Sequence, residues 1–518
     1  MVPSSKIRLV WKNGGYPMRT IQNMQLQLGK IDISKIKFDE RSRDDIPQIL
    51  KGLQYIYVNP TIREAVFKIL EKNILPEIDK NNGRPGMELW KIFVLGVLRL
   101  DLNCDYDRIR ELANHHNTIR AMLGHPKEDE FSYQIQTIKD NVKLLTPELL
   151  EEINHVIVEA GHVLLKKKEN EALHGRCDSF VVETNVHYPT DINLLFDAMR
   201  KVVILTARLS ETYQRSEWRQ SVYNVRHLKR LMRAAQNKKR TKGKTEEQKK
   251  KRDMLIAKAH GEYLVVAKRY LQKACDTLQS LEEQGLKQIT DTVLMEDIKH
   301  FMSHANRQIG QITRRVLQGE IIPHAEKVFS IFEPHTEWIC KGKAGVPVEL
   351  GLRVCVLEDQ YQFILHHRVM EKETDDRVAV FMIEKAQALF PGLKGTSFDK
   401  GFHSPDNQNV LSMKLELLAL PRKGKLSKLA CFIESSKTFR RARRKHAAVE
   451  SAINALEVHG LDYCPDRGIH RFKCYVALAV VARNVHRIGA ILQKRDQRRL
   501  QKRNKKRFKI CDVFRRAA

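Results

Sequence analysis

Lys394-Gly-Thr-Ser-Phe-Asp-Lys-Gly-Phe-His-Ser-Pro405 reads as a short buried strand that ends on a carboxylate, Asp399, and breaks at Gly401. A carboxylate at a strand's end, with a glycine turn beyond it, can hold a hard cation and still leave room for substrate. The same pattern also describes an ordinary turn cap, because Asp readily bonds the backbone just ahead of it. Which meaning holds depends on whether other carboxylates reach the same place. The candidates are Asp178, far upstream, and Glu450, downstream.

The segments around this stretch alternate between strand and helix patterns. Before it, 350–357 places Leu350, Leu352, Val354 and Val356 at alternate positions. A second strand pattern, 362–370, follows across the short link Glu358-Asp-Gln360, as in a hairpin. An amphipathic helix is predicted over 376–390, closed by Pro391-Gly392. After it come a strand at 415–420 and a long helix from Ser435 or Ser436 to Gly460. That helix carries a buried stripe of Phe439, Ala442, Val449, Ile453 and Leu456. Much earlier, 176–186 is short and rich in β-branched residues, with Asp178 near its start and Glu183 as a rival for the same role. Asp191 is expected to cap the helix that follows the Tyr188-Pro-Thr-Asp191 turn. Strands and helices in this order build an α/β protein, a mixed sheet with helices on both faces, over 171–209 and 325–492.

Helical regions flank and interrupt it. Residues 1–170 read as an all-helical domain behind a flexible lead-in to Pro17, with Met18 as an alternative start. Helices are predicted at 43–75, from Gly86 (Met87, Trp90, Phe93, Val94, Val97 and Leu98 on one side), at 106–113, at 118–123 and at 146–165. The two short helices around Asn114-His-His-Asn117 fit either a DNA-reading helix-turn-helix or a compact bundle. Between Asp178 and Asp399 lies a predicted insertion, 210–324, with a basic segment that includes Lys238, Lys239, Arg240 and Lys250. Its apolar stripes, Leu255 to Leu281 and Ile298 to Val316, read as an antiparallel helical hairpin, or else as a dimer coiled coil. A final helix at 472–492 leads into a basic tail, 493–518, which includes Arg498 and Arg499.

Composition narrows the partners. With 518 residues the chain is long enough for about three domains. The net charge of +30 calls for a polyanion, and DNA or RNA fits better than a membrane. The longest apolar run, 475–481, falls far short of the roughly 20 residues a spanning helix needs. No apolar segment follows the basic N-terminal residues, so no secretory signal is expected. Nine cysteines without a CxxC pair point to a reducing compartment. His459, Cys464, His470 and Cys474 match no common zinc spacing.

Carboxylates from separate elements that met at one spot would repel strongly unless divalent cations neutralised them, and oxygen ligands favour Mg²⁺ or Mn²⁺. Two such ions could serve phosphodiester chemistry. Beside Glu450, the run Arg440-Arg-Ala-Arg-Arg-Lys-His446 would sit near the phosphate, with His446 one turn before the glutamate.

At this point the chain resembles the insertion-sequence DDE transposases, most closely the ISNCY-like group. The likeness rests on Asp178-Ser-Phe-Val-Val-Glu-Thr-Asn-Val-His-Tyr-Pro-Thr-Asp191, Ile331-Phe-Glu-Pro-His-Thr-Glu-Trp-Ile339, Phe398-Asp-Lys-Gly-Phe-His-Ser404 and Val449-Glu-Ser-Ala-Ile-Asn-Ala-Leu-Glu-Val-His-Gly460. The resemblance implies a ribonuclease H-like fold with Asp178, Asp399 and Glu450 as the catalytic, metal-binding triad, and it prefers Asp178 to Glu183. It also implies a cytoplasmic, nucleoid-associated protein that cuts and joins double-stranded DNA at its element's ends, as a homodimer and without a membrane. The sequence departs from the family where His446 replaces an Arg and Glu457 a Lys, which leaves Arg443, Arg444 and Lys445 as the substitute phosphate contacts. The rival readings are a structure-selective nuclease on the same fold and a DNA-binding protein that no longer catalyses.

Overall fold

A computed structural model of the protein describes residues 31–39, 41–74, 86–240, 245–286, 288–340 and 348–517, with side chains as far as 502. The expected flexible lead-in and alternative start lie outside the described residues. In chain order the elements begin with helices α1 (Ile46–Val58), α2 (Pro60–Ile74), α3 (Leu89–Asp101), α4 (Tyr106–His115), α5 (Asn117–Met122), α6 (Ile135–Val142) and α7 (Pro147–Leu164). Strand β1 (Leu173–Thr184) precedes α8 (Asp191–Thr212), α9 (Ser221–Arg240), α10 (Glu246–Gln284) and α11 (Ile289–Ile312). Next come β2 (Glu337–Cys340), β3 (Val348–Glu358), β4 (Ile364–Met370), α12 (Asp375–Leu389), β5 (Leu393–Phe398), α13 (Pro405–Lys414) and β6 (Leu417–Ala419). The chain closes with α14 (Lys428–Ser435), α15 (Lys437–His446), α16 (Ala448–Leu456), β7 (Tyr463–Cys464) and α17 (Ile469–Ala517). It divides into one compact unit up to Glu183 and from Gly351 onward, and a second spanning Thr184–Leu350.

The first unit is α/β. Five strands of its mixed sheet run in the order β4-β3-β1-β5-β6. β3 is antiparallel to both β1 and β4, whereas β5 is parallel to β1 and β6 is parallel to β5. The β3–β4 hairpin and the β5 stretch fall where the alternating patterns predict them. β1 is central and covered on both faces, so Phe180, Val181 and Val182 are all buried, as a strand flanked on both sides demands.

Against the sheet lies a helical layer that shares its core. α3 is predicted with one apolar side, yet only Lys91 of its residues escapes full burial. An all-round apolar helix belongs inside a core. α17 is the other central helix and is far longer than the 472–492 expected, continuing without a break through the basic tail. Its Ile469–Lys502 part is long and apolar enough to cross a membrane, but 78% of its most apolar window is buried inside the protein, as in a core helix. α1 packs on α17 at near-backbone contact: a Cβ on Gly489 would stand 1.8 Å from the Gln48 carbonyl oxygen, and one on Gly52 would stand 2.2 Å from that of Val485. Gly489→Val should therefore lower stability by roughly 3 kcal/mol or more, read as the denaturant midpoint; a shift within error of zero would mean that the helices do not cross this closely.

The helix-turn-helix reading is not supported, because the Asn114–Asn117 turn shrinks to His116, which ends α4 and caps α5 through a bond from Ile119 N to Nδ1. That joint lacks the 3–4-residue turn of the motif.

The second unit is built from α8 to α11. Leu195, Met199 and Val202 of α8 share a core with Tyr263 and Ala267 of α10 and with Ile309 and Ile312 of α11. α11 lies mainly along α8, and α10 packs chiefly on α9. The two predicted stripes do meet, Leu278 and Leu281 of α10 clustering with Met295 and Ile298 of α11, but each helix also packs on a neighbour outside the predicted pair, and α8, assigned by pattern to the sheet domain, belongs here. Thr190, not Asp191, is the cap of α8: its side chain accepts from Asn193 N. Asp191 occupies the first turn and pairs with Arg315 at 2.7 Å.

Candidate active site

The parallel pairing of β1 with β5 sets the site. Arg176 pairs with Ser397 and Cys177 with Phe398. One residue further along, Asp178 and Asp399 fall side by side where β5 ends. Alternation places Asp178 on the same face as Arg176, and Asp399 on the same face as Ser397. Glu183, five residues beyond Asp178, therefore points to the opposite face. The chain turns sharply after Asp399 through a short 3₁₀ turn, Lys400–Phe402. Buried Phe402 anchors this turn against Phe398, with ring centroids 5.5 Å apart, and Asn407 Nδ2 donates to its carbonyl oxygen at 2.8 Å. Asp399 serves as the cap of this turn in position only, since its carboxylate makes no cap hydrogen bond.

Glu450 comes from the helical segment laid over β5 and β6. The long helix predicted to Gly460 is present but segmented: Ser436 caps α15, and Ala447 separates it from α16. At the end of α15, His446 Nδ1 lies 3.1 Å from Ser397 Oγ, which fixes the helix over the strand that delivers Asp399. Glu450 lies one turn further on.

The charges of these groups act on one another. Burial pushes the Asp178 carboxyl up to about 6; the negative charges of Asp399, Asp375 and Glu450 add to the rise, against a hydrogen bond from Ser179 N. His446 is pushed down by burial and by Arg176, while Asp399 and Glu450 oppose the fall. The three predicted carboxylates thus act on one neighbourhood, although they are not drawn as close as the ligand atoms of Asp101, His459 and His486, which lie within 4.8 Å of one another. Mutual repulsion favours that looser spacing. Compared with protein families, with curated proteins and with solved structures, the chain matches none. Its function is argued from this geometry.

Asp375 is a fourth carboxylate that the pattern did not flag. Thr374-Asp375-Asp376 looks like the acidic first turn of any helix, and it does start α12. The structure adds a bond from Ser179 Oγ to Asp375 Oδ1 at 2.6 Å. A Cβ on Gly401 would stand only 2.9 Å from Asp375 Oδ2, so the glycine lets the turn after Asp399 close onto this carboxylate. Nothing local distinguishes Asp375 from a cap, and its long-range bond from Ser179 is what sets it apart.

Basic residues border the cluster. Arg441 and Lys445 line a cavity of about 310 Å³ together with Arg176, Thr396 and Ser397. Lys437, Arg440, Arg441, Arg444 and Lys445 form an open groove of about 640 Å³ along α15. Arg443, Arg444 and Lys445 are exposed, whereas His446 is half-buried, and its lowered pKa leaves the imidazole uncharged at neutral pH. Charge contact with phosphate therefore falls to the three cations before it. The remaining predicted contacts lie away from this cluster in the chain. Lys238, Lys239 and Arg240 end α9 and Lys250 begins α10, all in the second unit, while Arg498 and Arg499 are exposed on α17.

Proposed function

We propose that this protein is a metal-dependent DNA phosphoryl transferase of the DDE transposase kind, cutting and joining the ends of its own element. The observation that carries the reading is the parallel register of β1 against β5, which sets Asp178 beside Asp399; burial raises the Asp178 carboxyl, and the charges of Asp399, Asp375 and Glu450 add to the rise. The strand order β4-β3-β1-β5-β6, with the hairpin antiparallel and the last two strands parallel to β1, supports a ribonuclease H-like core. So does the position of the first acid on one strand and the second just past the end of its parallel neighbour, with the third on α16, which follows the helix laid over β5 and β6.

The donor set is all carboxylate oxygen, which suits Mg²⁺ or Mn²⁺ and fits poorly with softer metals. A bound pair of such ions supplies an activated oxygen nucleophile and neutralises the leaving oxygen of a phosphodiester. Asp178, Asp399 and Glu450 would hold them. Ser179 ties Asp375 back, and the basic groove of α15 carries the DNA backbone past the carboxylates. Two ends cut together require a homodimer.

The test is a nicking assay on duplex taken from the DNA flanking the reading frame, with Mg²⁺ or Mn²⁺ and with chelator, followed by joining of a pre-cut end into plasmid. Metal-dependent nicking plus joined product is expected. Nicking without joining would favour the structure-selective nuclease, and binding without either would leave a DNA-binding protein.

The phosphate track has its own prediction. Replacing Arg443, Arg444 and Lys445 together with alanine should weaken DNA binding and reduce the slope of log affinity against log salt by roughly two to three units. An unchanged slope would place the backbone elsewhere.

A further inference from the structure

Another group of side chains in the same unit has the composition of a transition-metal site and no part in the carboxylate cluster. Asp101 is the last residue of α3, His486 lies on α17, and His459 sits in the irregular turn that follows α16. One ligand atom from each lies within 4.8 Å of the other two. Tetrahedral zinc spaces its ligands roughly 3.4 Å apart, so small rotations of the side chains would close the set.

The details argue against a plain ion pair. Asp101 is 1% exposed and is the residue that ends a helix, where the backbone already presents its negative pole. Both carboxylate oxygens lie 3.0 Å from the same nitrogen, His486 Nδ1. One N–H cannot satisfy both, and Oδ1 is left buried without a hydrogen bond. A buried lone pair on a carboxylate is costly unless a cation meets it. His459 is turned toward the same residue: its Nδ1 hydrogen-bonds the Asp101 carbonyl oxygen. A carbonyl only accepts, so that nitrogen carries the proton and Nε2 keeps its lone pair, the tautomer that metal-ligating histidines commonly adopt.

The turn that presents His459 is built for the purpose. Gly460 has φ +94°, and a Cβ there would stand 2.7 Å from Asn103 Oδ1. Tyr475 OH donates to the Gly460 carbonyl oxygen at 3.0 Å. A cavity of about 300 Å³, lined by Asp44, Asp45, Asp101, Cys104 and His459 among others, gives a route in from solvent.

We infer that Asp101, His459 and His486 bind one divalent transition-metal ion of the zinc class, which staples the end of α3 to α17 and to the turn before it. Two imidazoles and one carboxylate select Zn²⁺ or Co²⁺ over Mg²⁺. Bound to the ion through Nδ1, the His486 imidazole carries its one proton on Nε2, and any second proton is released to solvent as the ion binds. Three protein ligands leave a fourth position facing the cavity for water.

The experiment uses the full chain, stripped with chelator and titrated with Zn²⁺ and with Co²⁺ in the presence of millimolar Mg²⁺. The expected result is one equivalent of Zn²⁺ per chain by elemental analysis. Tetrahedral visible bands with Co²⁺ and a higher unfolding temperature for the Zn²⁺-loaded protein should accompany it. His459→Ala, at a partly exposed position, should lose the stoichiometric ion, the bands and the thermal gain while keeping the wild-type circular dichroism spectrum. His486→Gln provides a second variant if the first unfolds. Wild-type protein that takes up no stoichiometric Zn²⁺ overturns the inference and leaves Asp101 paired with His486, with Arg483 nearby. Equal uptake by wild type and both variants overturns it too, by placing the zinc elsewhere. Neither readout depends on DNA cleavage, so the proposed transposase activity stands or falls separately.

Discussion

Asp399→Asn should abolish metal-dependent nicking, by roughly 10³-fold or more, and leave binding of element-end DNA almost unchanged. The carboxylate lies at the end of β5, exposed and without a cap hydrogen bond, so its removal breaks no contact that the fold needs. It is one of the charges that raise Asp178, and an amide in its place cannot supply a full negative charge to a cation. Losses of this size are typical when one member of a cooperating catalytic set is removed. Gel-shift affinity and nicking rate, measured on the same duplex, separate the two effects. A variant that nicks at the wild-type rate would remove Asp399 from the site.

Asp178→Asn should have effects of opposite sign on activity and stability. Nicking should fall as far as for Asp399→Asn. The metal-free protein, however, should become more stable above pH 6, by roughly 1–2 kcal/mol after discounting for solvent at a half-buried site. The folded carboxyl titrates near 6 against 3.8 for its ordinary value. Between those values the folded state binds more protons than the unfolded one. Wild-type stability therefore falls as pH rises from about 4 to about 6, and the whole penalty is present above that. Asparagine carries no charge and can still accept from Ser179 N, which bonds Asp178 Oδ1 at 2.8 Å. Denaturant midpoints at pH 5 and pH 8, in chelator, check this. Saturating Mn²⁺ should reverse the ranking by stabilising only the wild type. A variant less stable than wild type at pH 8 in chelator would mean that Asp178 is not repelled where it stands.

Much of the sheet was legible because its signals are local. The β5 stretch is short, apolar and ended by a turn, and the β3–β4 hairpin alternates cleanly. Thr146 and Ser436 both cap the helices predicted after them, accepting from Leu149 N and Phe439 N. What stayed hidden depends on contacts between distant segments. A period of three to four residues marks a buried helix face but not all its partners, so the stripes of α10 and α11, which do meet, gave no sign that α9 and α8 pack on them as well. Thr190 and Asp191 are both good capping types in adjacent positions, and the ion pair with Arg315 decides between them only in three dimensions. The run in α3 reads as one-sided because a few polar side chains interrupt it. Arg99, for instance, is buried and pairs through both terminal nitrogens with Asp466, the closer at 2.8 Å. Spacing groups His459 with Cys464, His470 and Cys474, near it in sequence, whereas its partner Asp101 lies 358 residues away in the chain.

The most direct test of the carboxylate site is a crystal of the full chain grown with Mn²⁺ and a short end duplex, with data collected for anomalous scattering at the manganese edge. The account predicts one or two peaks bounded by Asp178, Asp399 and Glu450, absent in Asp399→Asn and distinct from any peak at Asp101. A map with no density between those three side chains, or with manganese only at the histidine cluster, would contradict it.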